Sequence, residues 1–310
     1  MVRREFSLPS SDGKTALHAV AWRPEGAVCA VLQIAHGVAE HILRYEGLAS
    51  YLTERGVAVA GHDHLGHGTS LPEGGAALYF GPRGSWDLVV EDLYRLGRSA
   101  EGAFPGVPRF LLGHSMGSFL VRSYLIRYPG TVRGAVLMGT GWTAPPVLAA
   151  GLAAAEAECA RLAFGPYRRP FAPCRTDLDW LSANAENVDR YIADPLCGGA
   201  VTGGLFRELL SGIRAIQRPA ALRRMNRNTP VLFLSGGDDP VGAMGRGVSR
   251  TERAFRRAGV RDVTRILYPG LRHELLHEVQ RELVCADLFR WMEARFLRRR
   301  KHQTAPGAIG

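Results

Sequence analysis

Short apolar runs recur along this chain at 28–34, 57–60, 110–112, 134–138, 231–234 and 263–268. Between most of them lie longer mixed stretches with helical character, at 44–55, 86–101, 116–128, 249–258 and 275–296. Strand alternating with helix leaves few architectures open. A parallel sheet needs crossovers, and helical crossovers cover both of its faces. The expected fold class is therefore α/β, with a mostly parallel central sheet and helices on both faces. Two strand-like segments at 3–8 and 16–22 flank Ser10-Ser-Asp-Gly-Lys14 and predict a hairpin with an Asp-Gly turn, antiparallel at one sheet edge.

One interval breaks the alternation. From about Trp142 to Asn228 no strand pattern occurs, and helical stretches share the interval with a proline-rich patch at 165–173. An insertion of this kind between two sheet strands reads as a helical cap over the carboxyl ends of the strands. The domain division is then an α/β core at 1–141 and 229–310, with a cap (lid) at 142–228.

Gly113-His-Ser-Met-Gly117 is the one GxSxG in the sequence. A buried-strand pattern directly precedes it and a helix pattern directly follows. Strand, sharp turn and helix together push a serine hydroxyl out at the top edge of a sheet, so Ser115 is the candidate nucleophile. A serine needs a base, and the base needs an orienting carboxylate. Downstream, a strand runs into Gly236-Gly-Asp-Asp-Pro240, and the last strand leads to His273. Asp239 is the candidate acid, with Asp238 as rival. His273 is the candidate base, with His277 as rival, although a helix starting near His273 would carry His277 away from the cleft. The first strand-to-helix turn, Ile34-Ala-His-Gly-Val-Ala-Glu-His41, offers the Val38 N–H as an oxyanion donor beside that of Met116. His36 and His41 are expected to hold this loop.

Two metal-like patterns do not survive inspection. His273-Glu-Leu-Leu-His277 spells HExxH, which needs both histidines on one helix face, yet Pro269-Gly270 just upstream places His273 in a loop or first turn. His62, His64 and His67 approach an HxHxDH pattern, but Gly66 stands where an aspartate is needed. Neither a metal nor a cofactor is expected. Five scattered cysteines without a CxxC pair indicate neither a zinc ribbon nor a disulfide framework. The N-terminal decapeptide has no apolar segment behind its charges, and the most lipid-like run, 147–164, is broken by Glu156, Glu158 and Arg161. A cytoplasmic location is expected.

With these residues in order, the chain resembles the α/β-hydrolase superfamily, in its monoacylglycerol lipase and lysophospholipase-like (serine aminopeptidase-type) branch. His36-Gly-Val-Ala-Glu-His41 with Arg44-Tyr45 is similar to the HGxxEHxxRY segment of that branch, and Asp63-His-Leu-Gly-His-Gly-Thr-Ser70 to its DxxGHGxS loop. The resemblance implies the triad Ser115, Asp239 and His273, an oxyanion hole of the Val38 and Met116 N–H groups, and Glu40 and Arg44 binding or framing the polar end of the substrate. Cys197, in the cap, is a candidate for lining the pocket, with a buried inert thiol as the alternative. The implied activity is hydrolysis of amphiphilic acyl esters of monoacylglycerol or lysophospholipid type. The same triad would also serve a peptidase, thioesterase or C–C hydrolase.

The formal charge of +10 raises nucleic acid and anionic membranes as partners. Its distribution decides between them. Residues 250–310 carry +7 of the excess, ending in Arg298-Arg-Arg-Lys301, while the cap carries +3. A basic end with no recognisable nucleic-acid module argues against nucleic acid and leaves weak attraction to an anionic membrane surface.

Overall fold

The computed structural model describes residues 1–72, 74–153 and 165–303. Eight strands form one sheet: β1 (Val2–Pro9), β2 (Ala16–Arg23), β3 (Ala30–Ala35), β4 (Val57–His62), β5 (Arg109–His114), β6 (Gly134–Met138), β7 (Val231–Gly236) and β8 (Val263–Tyr268). Their spatial order is β1-β2-β4-β3-β5-β6-β7-β8. β1 pairs antiparallel with β2 and β2 with β4; every pair from β4 to β8 is parallel. The chain leaves β3 toward one edge and returns past it to β5. The crevice outside the carboxyl ends of β3 and β5 is thus the topological switch point, where ligands of open α/β sheets bind.

Side-chain alternation sorts the sheet into two buried faces. Leu111, Leu137 and Phe233 join one core cluster with α2 (Ser85–Ala103) and α3 (Met116–Arg127). Their neighbours Phe110, Leu112, Val136, Met138, Leu232 and Leu234 join the other. That second face is covered by α1 (Glu46–Thr53) and the C-terminal helix. β3 to β7 are buried along their whole length, which explains why they read as near-continuous apolar runs rather than as alternating patterns.

The hairpin forms with a longer connection than a two-residue Asp-Gly turn. Pro9 pairs with Ala16, and residues 10–15 make the loop, closed by the Asp12 carboxylate accepting the Thr15 N–H at 2.8 Å. Between β6 and β7 the described residues hold no strand. They form α4 (Pro145–Ala153), 3-10 turns at Gly165–Phe171 and Asp179–Leu181, α5 (Ala185–Ala193), α6 (Gly203–Ile216) and α7 (Pro219–Leu222). Helix α6 does not stand apart from the core. Leu205, Phe206, Leu209, Leu210 and Ile213 belong to the cluster of α2 and α3. Glu208 reaches across to accept the backbone N–H groups of Gly84 and Trp86, satisfying the free donors at the start of α2.

The second departure is at the C-terminus. A single helix over 275–296 is predicted, whereas Leu275–His277 is a 3-10 turn, and the long helix α9 (Arg281–Gln303) starts after a break that follows α8 (Arg246–Arg257) and β8. Tertiary bonds outcompete the helix here. The Glu274 N–H donates to the Leu181 carbonyl at 2.7 Å. The Glu278 carboxylate accepts the N–H groups of Arg272, Ala183 and Asn184. No described helix is long and apolar enough to cross a membrane. Part of the apolar run at 147–164 and the side chains of the basic end at 298–301 lie outside the described residues.

Phe233 is fully buried on β7 with its ring edge-on to Phe255 at 5.4 Å. Truncation to alanine leaves a cavity that rigid sheet neighbours cannot fill. Phe233→Ala should cost about 3–5 kcal/mol, read as a lowered urea midpoint with an unchanged m-value.

Candidate active site

Ser115 follows the last residue of β5 and precedes the first of α3, with φ 51° and ψ −119°. This is a conformation that non-glycine residues avoid, at a cost of about 1–3 kcal/mol. The surroundings enforce it. The Ser115 N–H donates to the Met138 carbonyl at 2.9 Å, and the Ser118 hydroxyl donates to the Ser115 carbonyl at 2.6 Å. The flanking glycines are needed for close approach. A Cβ on Gly113 would strike the Gly117 carbonyl, and one on Gly117 would strike that of Ala35. The turn therefore seats α3 directly against the end of β3.

His273 lies in the loop after β8, buried, with its Nδ1 3.0 Å from Oδ1 of buried Asp239 in the loop after β7. The same Oδ1 accepts the Val241 N–H at 2.9 Å, which fixes the carboxylate. Asp238 is exposed, and its N–H donates to the Leu271 carbonyl at 3.0 Å. Ser115 and His273 line one cavity of about 570 Å³, together with Val38 and Met116. Much of its lining is apolar, with Phe119, Leu209, Leu210 and Ile213 among it. Met116 is the first residue of α3, where a backbone N–H has no acceptor within the helix.

The loop after β3 is held by a buried carboxylate. Glu40 accepts hydrogen bonds from the Gly37 N–H, the Tyr45 hydroxyl (3.0 Å), Arg44 (2.9 Å) and His114 Nδ1 (3.0 Å). His114 Nε2 reaches the His273 carbonyl at 3.3 Å. Arg44 also forks onto Glu274, at 2.6 and 2.9 Å, and Asn187 of α5 donates to Glu274 at 2.6 Å. Burial alone would raise the Glu40 carboxyl; the hydrogen bond and charge of His114, then the charge of Arg44, hold it well below the usual range. Burial likewise opposes ionisation of Glu274, and Arg44 overrides it to bring the group to about 2. Glu40 lines the cavity, with one oxygen on Gly37, Tyr45 and His114 and the other on Arg44, which bridges it to Glu274.

His36 holds the loop as expected, its Nε2 accepting the His64 N–H at 2.9 Å. His41 instead reaches out of the loop to Asp194, at 2.8 Å. His64 and His67 pack against His36, whose ring centroid is 4.1 Å from that of His64, and His62 packs edge-on to His64. His277 is not carried off on a helix. It stays half-buried near Arg44 and Glu274, and desolvation, then the Arg44 charge, lower it to about 4. Cys197 also differs from expectation: Gly198 and Gly199 line the cavity and Cys197 does not, because its thiol lies beside His41 and Asp194.

Several contributors carry no sequence signal. The Trp180 ring sits 5.3 Å from that of His273. The Tyr191 hydroxyl and the Gly198 N–H both donate to the Ala39 carbonyl, at 2.7 and 3.0 Å, next to Val38. Glu274, Asn187 and Tyr191 come from segments whose spacing in the chain says nothing about their meeting.

The profile of the family described as Serine aminopeptidase, S33 matches residues 26–280. The chain belongs to this family. It is an α/β-hydrolase of the monoacylglycerol lipase-like branch of carboxylic ester hydrolases. It is 32% identical to the monoacylglycerol lipase of Mycolicibacterium smegmatis over 293 residues, covering 94% of this chain and 97% of that one. The monoglyceride lipase of Homo sapiens is 32% identical over 238 residues, 75% of this chain and 72% of that one. Among solved structures, a thermostable carboxyl esterase from Bacillus coagulans in complex with glycerol superposes with a TM-score of 0.87 at 25% identity, covering 96% and 99% of the two chains.

Within this α/β-hydrolase, burial and then repulsion from His36 lower His62 and His67 to about 3. A histidine whose folded value is depressed takes up its proton only on unfolding, so its stability contribution is present above about pH 6.5 and is lost as the pH falls toward 3. Urea unfolding between pH 6.5 and 4.5 should show stability falling with pH. His67→Gln should flatten the slope by roughly 1 kcal/mol per pH unit. An unchanged slope would contradict the assignment.

Proposed function

We propose that this chain hydrolyses amphiphilic carboxylic esters of the monoacylglycerol or lysophospholipid type through Ser115, His273 and Asp239. The observation that carries the reading is the 3.0 Å His273–Asp239 contact, at a cavity that also exposes the strained Ser115. The names of the relatives, monoacylglycerol and monoglyceride lipases, support the substrate class. A largely apolar lining that also carries Glu40, His114 and Glu274 suits an acyl chain with a polar head.

In this mechanism His273 takes the Ser115 hydroxyl proton as Oγ attacks the ester carbonyl. The oxyanion is received by the N–H groups of Val38 and Met116. Asp239 holds the His273 ring and stabilises its charged form, and His273 then protonates the leaving alcohol. Water, with His273 again as base, releases the fatty acid from Ser115. No step calls for a cofactor. Glu40 and Arg44 frame the polar end. The segment 142–228 serves as a cap whose α4 and α6 shape the acyl side. The reading places the enzyme in the cytoplasm without a nucleic-acid partner, and its basic end in weak attraction to anionic membranes.

A peptidase reading is favoured by one finding, the description of the matching family. Rates on monoacylglycerols and p-nitrophenyl esters of increasing chain length, against aminoacyl amides and thioesters, separate the two. Medium or long acyl esters should give the highest kcat/KM, and Ser115→Ala should lose at least about 10³-fold in kcat with its fold intact. Highest kcat/KM on aminoacyl amides would overturn the ester reading.

A further inference from the structure

Outside the triad, one cluster carries mixed ligand chemistry. His41 offers a ring nitrogen, Asp194 a carboxylate oxygen and Cys197 a thiol sulfur, and these atoms all lie within 4.8 Å of one another. It is the one group of three or more such side chains close enough to share an ion among the described residues. The arrangement is built from two directions. His41 comes from the loop after β3, while Asp194 and Cys197 come from the turn after α5, where the Cys197 N–H donates to the Asp194 carbonyl at 3.0 Å. His41 Nε2 already stands 2.8 Å from Asp194 Oδ2.

We propose that His41, Asp194 and Cys197 bind one zinc-class divalent cation, tying the loop after β3 to the segment after α5. Three ligands of N, O and S type with a fourth position left for water is a recurrent zinc arrangement. Tetrahedral zinc would set its ligands about 3.3–3.7 Å apart, so closure of the cluster is a matter of side-chain rotation. The local charge favours a cation. The Asp194 carboxylate lies beside the thiol and supplies a negative charge at the site. Ion uptake displaces the thiol proton to solvent and leaves a thiolate on the metal. Asp194 and Cys197 are only half-buried, which leaves an entry path. The ion would sit beside the Ala39 carbonyl that Gly198 and Tyr191 already hold, adding a cross-link to the same junction.

Cobalt(II) titration of the full-length chain tests this without reference to hydrolysis. One Co²⁺ per chain should bind with a near-ultraviolet thiolate-to-cobalt absorption band, and Zn²⁺ should displace it and raise the Tm. Cys197→Ser should abolish the band, and Cys174→Ser should leave it. Asp194→Asn keeps the shape of the side chain and should weaken cobalt binding by at least about tenfold, so the proposal stands or falls even where Cys197→Ser does not fold. Absence of the band in the wild-type chain, its survival in Cys197→Ser, or unaltered affinity in Asp194→Asn would overturn the site.

Discussion

The connection after β3 and the end of β5 meet at the Glu40 carboxylate. One oxygen takes the Gly37 N–H, the Tyr45 hydroxyl and His114 Nδ1, and the other takes Arg44. Through Gly37 it shapes the loop after β3. Through His114 it reaches the residue before Ser115, and through His114 Nε2 the backbone of His273. Through Arg44 and Glu274 it reaches Asn187 on α5. A buried charge of this kind is stable only while its partners stay in place; removing one from such a pair typically costs about 3–5 kcal/mol. The site's geometry is thus enforced by an electrostatic requirement.

That requirement makes sense of the strained turn at Ser115. A positive φ at a serine persists only where neighbours over-determine it. The Met138 carbonyl, the Ser118 hydroxyl and the close seating of Gly117 on Ala35 supply that determination from one side, and the His114–Glu40 contact supplies it from the other. The segment after β6 is part of the same assembly. α6 packs in the core cluster with α2 and α3, and the stretch from Asp179 to Gly198 bonds to both the Ala39 carbonyl and the loop around His273.

What the sequence makes legible follows from how local each signal is. The bounds of β6 and β8 agree with their apolar runs, because a fully buried or edge strand writes its pattern into consecutive residues. Gly113 to Gly117 is legible for the same reason: strand, turn and helix adjoin. The contacts that hold the site together are not local. Tyr191 meets Ala39 across 152 positions, and Asn187 meets Glu274 across 87. Neither pair has a periodicity that would announce it. The misplaced helix start shows tertiary bonds prevailing over propensity: residues 274–278 fit a helix locally, but Glu278 is drawn away to bond Arg272, Ala183 and Asn184. Nothing local to Cys197 signals that its thiol turns toward His41 rather than into the cavity.

The central claim is that Ser115 is a nucleophile activated through His273 and Asp239. Labelling by a fluorophosphonate, followed by peptide mapping, tests it at the atom concerned. The account predicts one adduct per chain, on Ser115, forming at least about a hundredfold more slowly in Asp239→Asn, whose ring partner is lost. An adduct elsewhere, or equal labelling rates in wild type and Asp239→Asn, would contradict it.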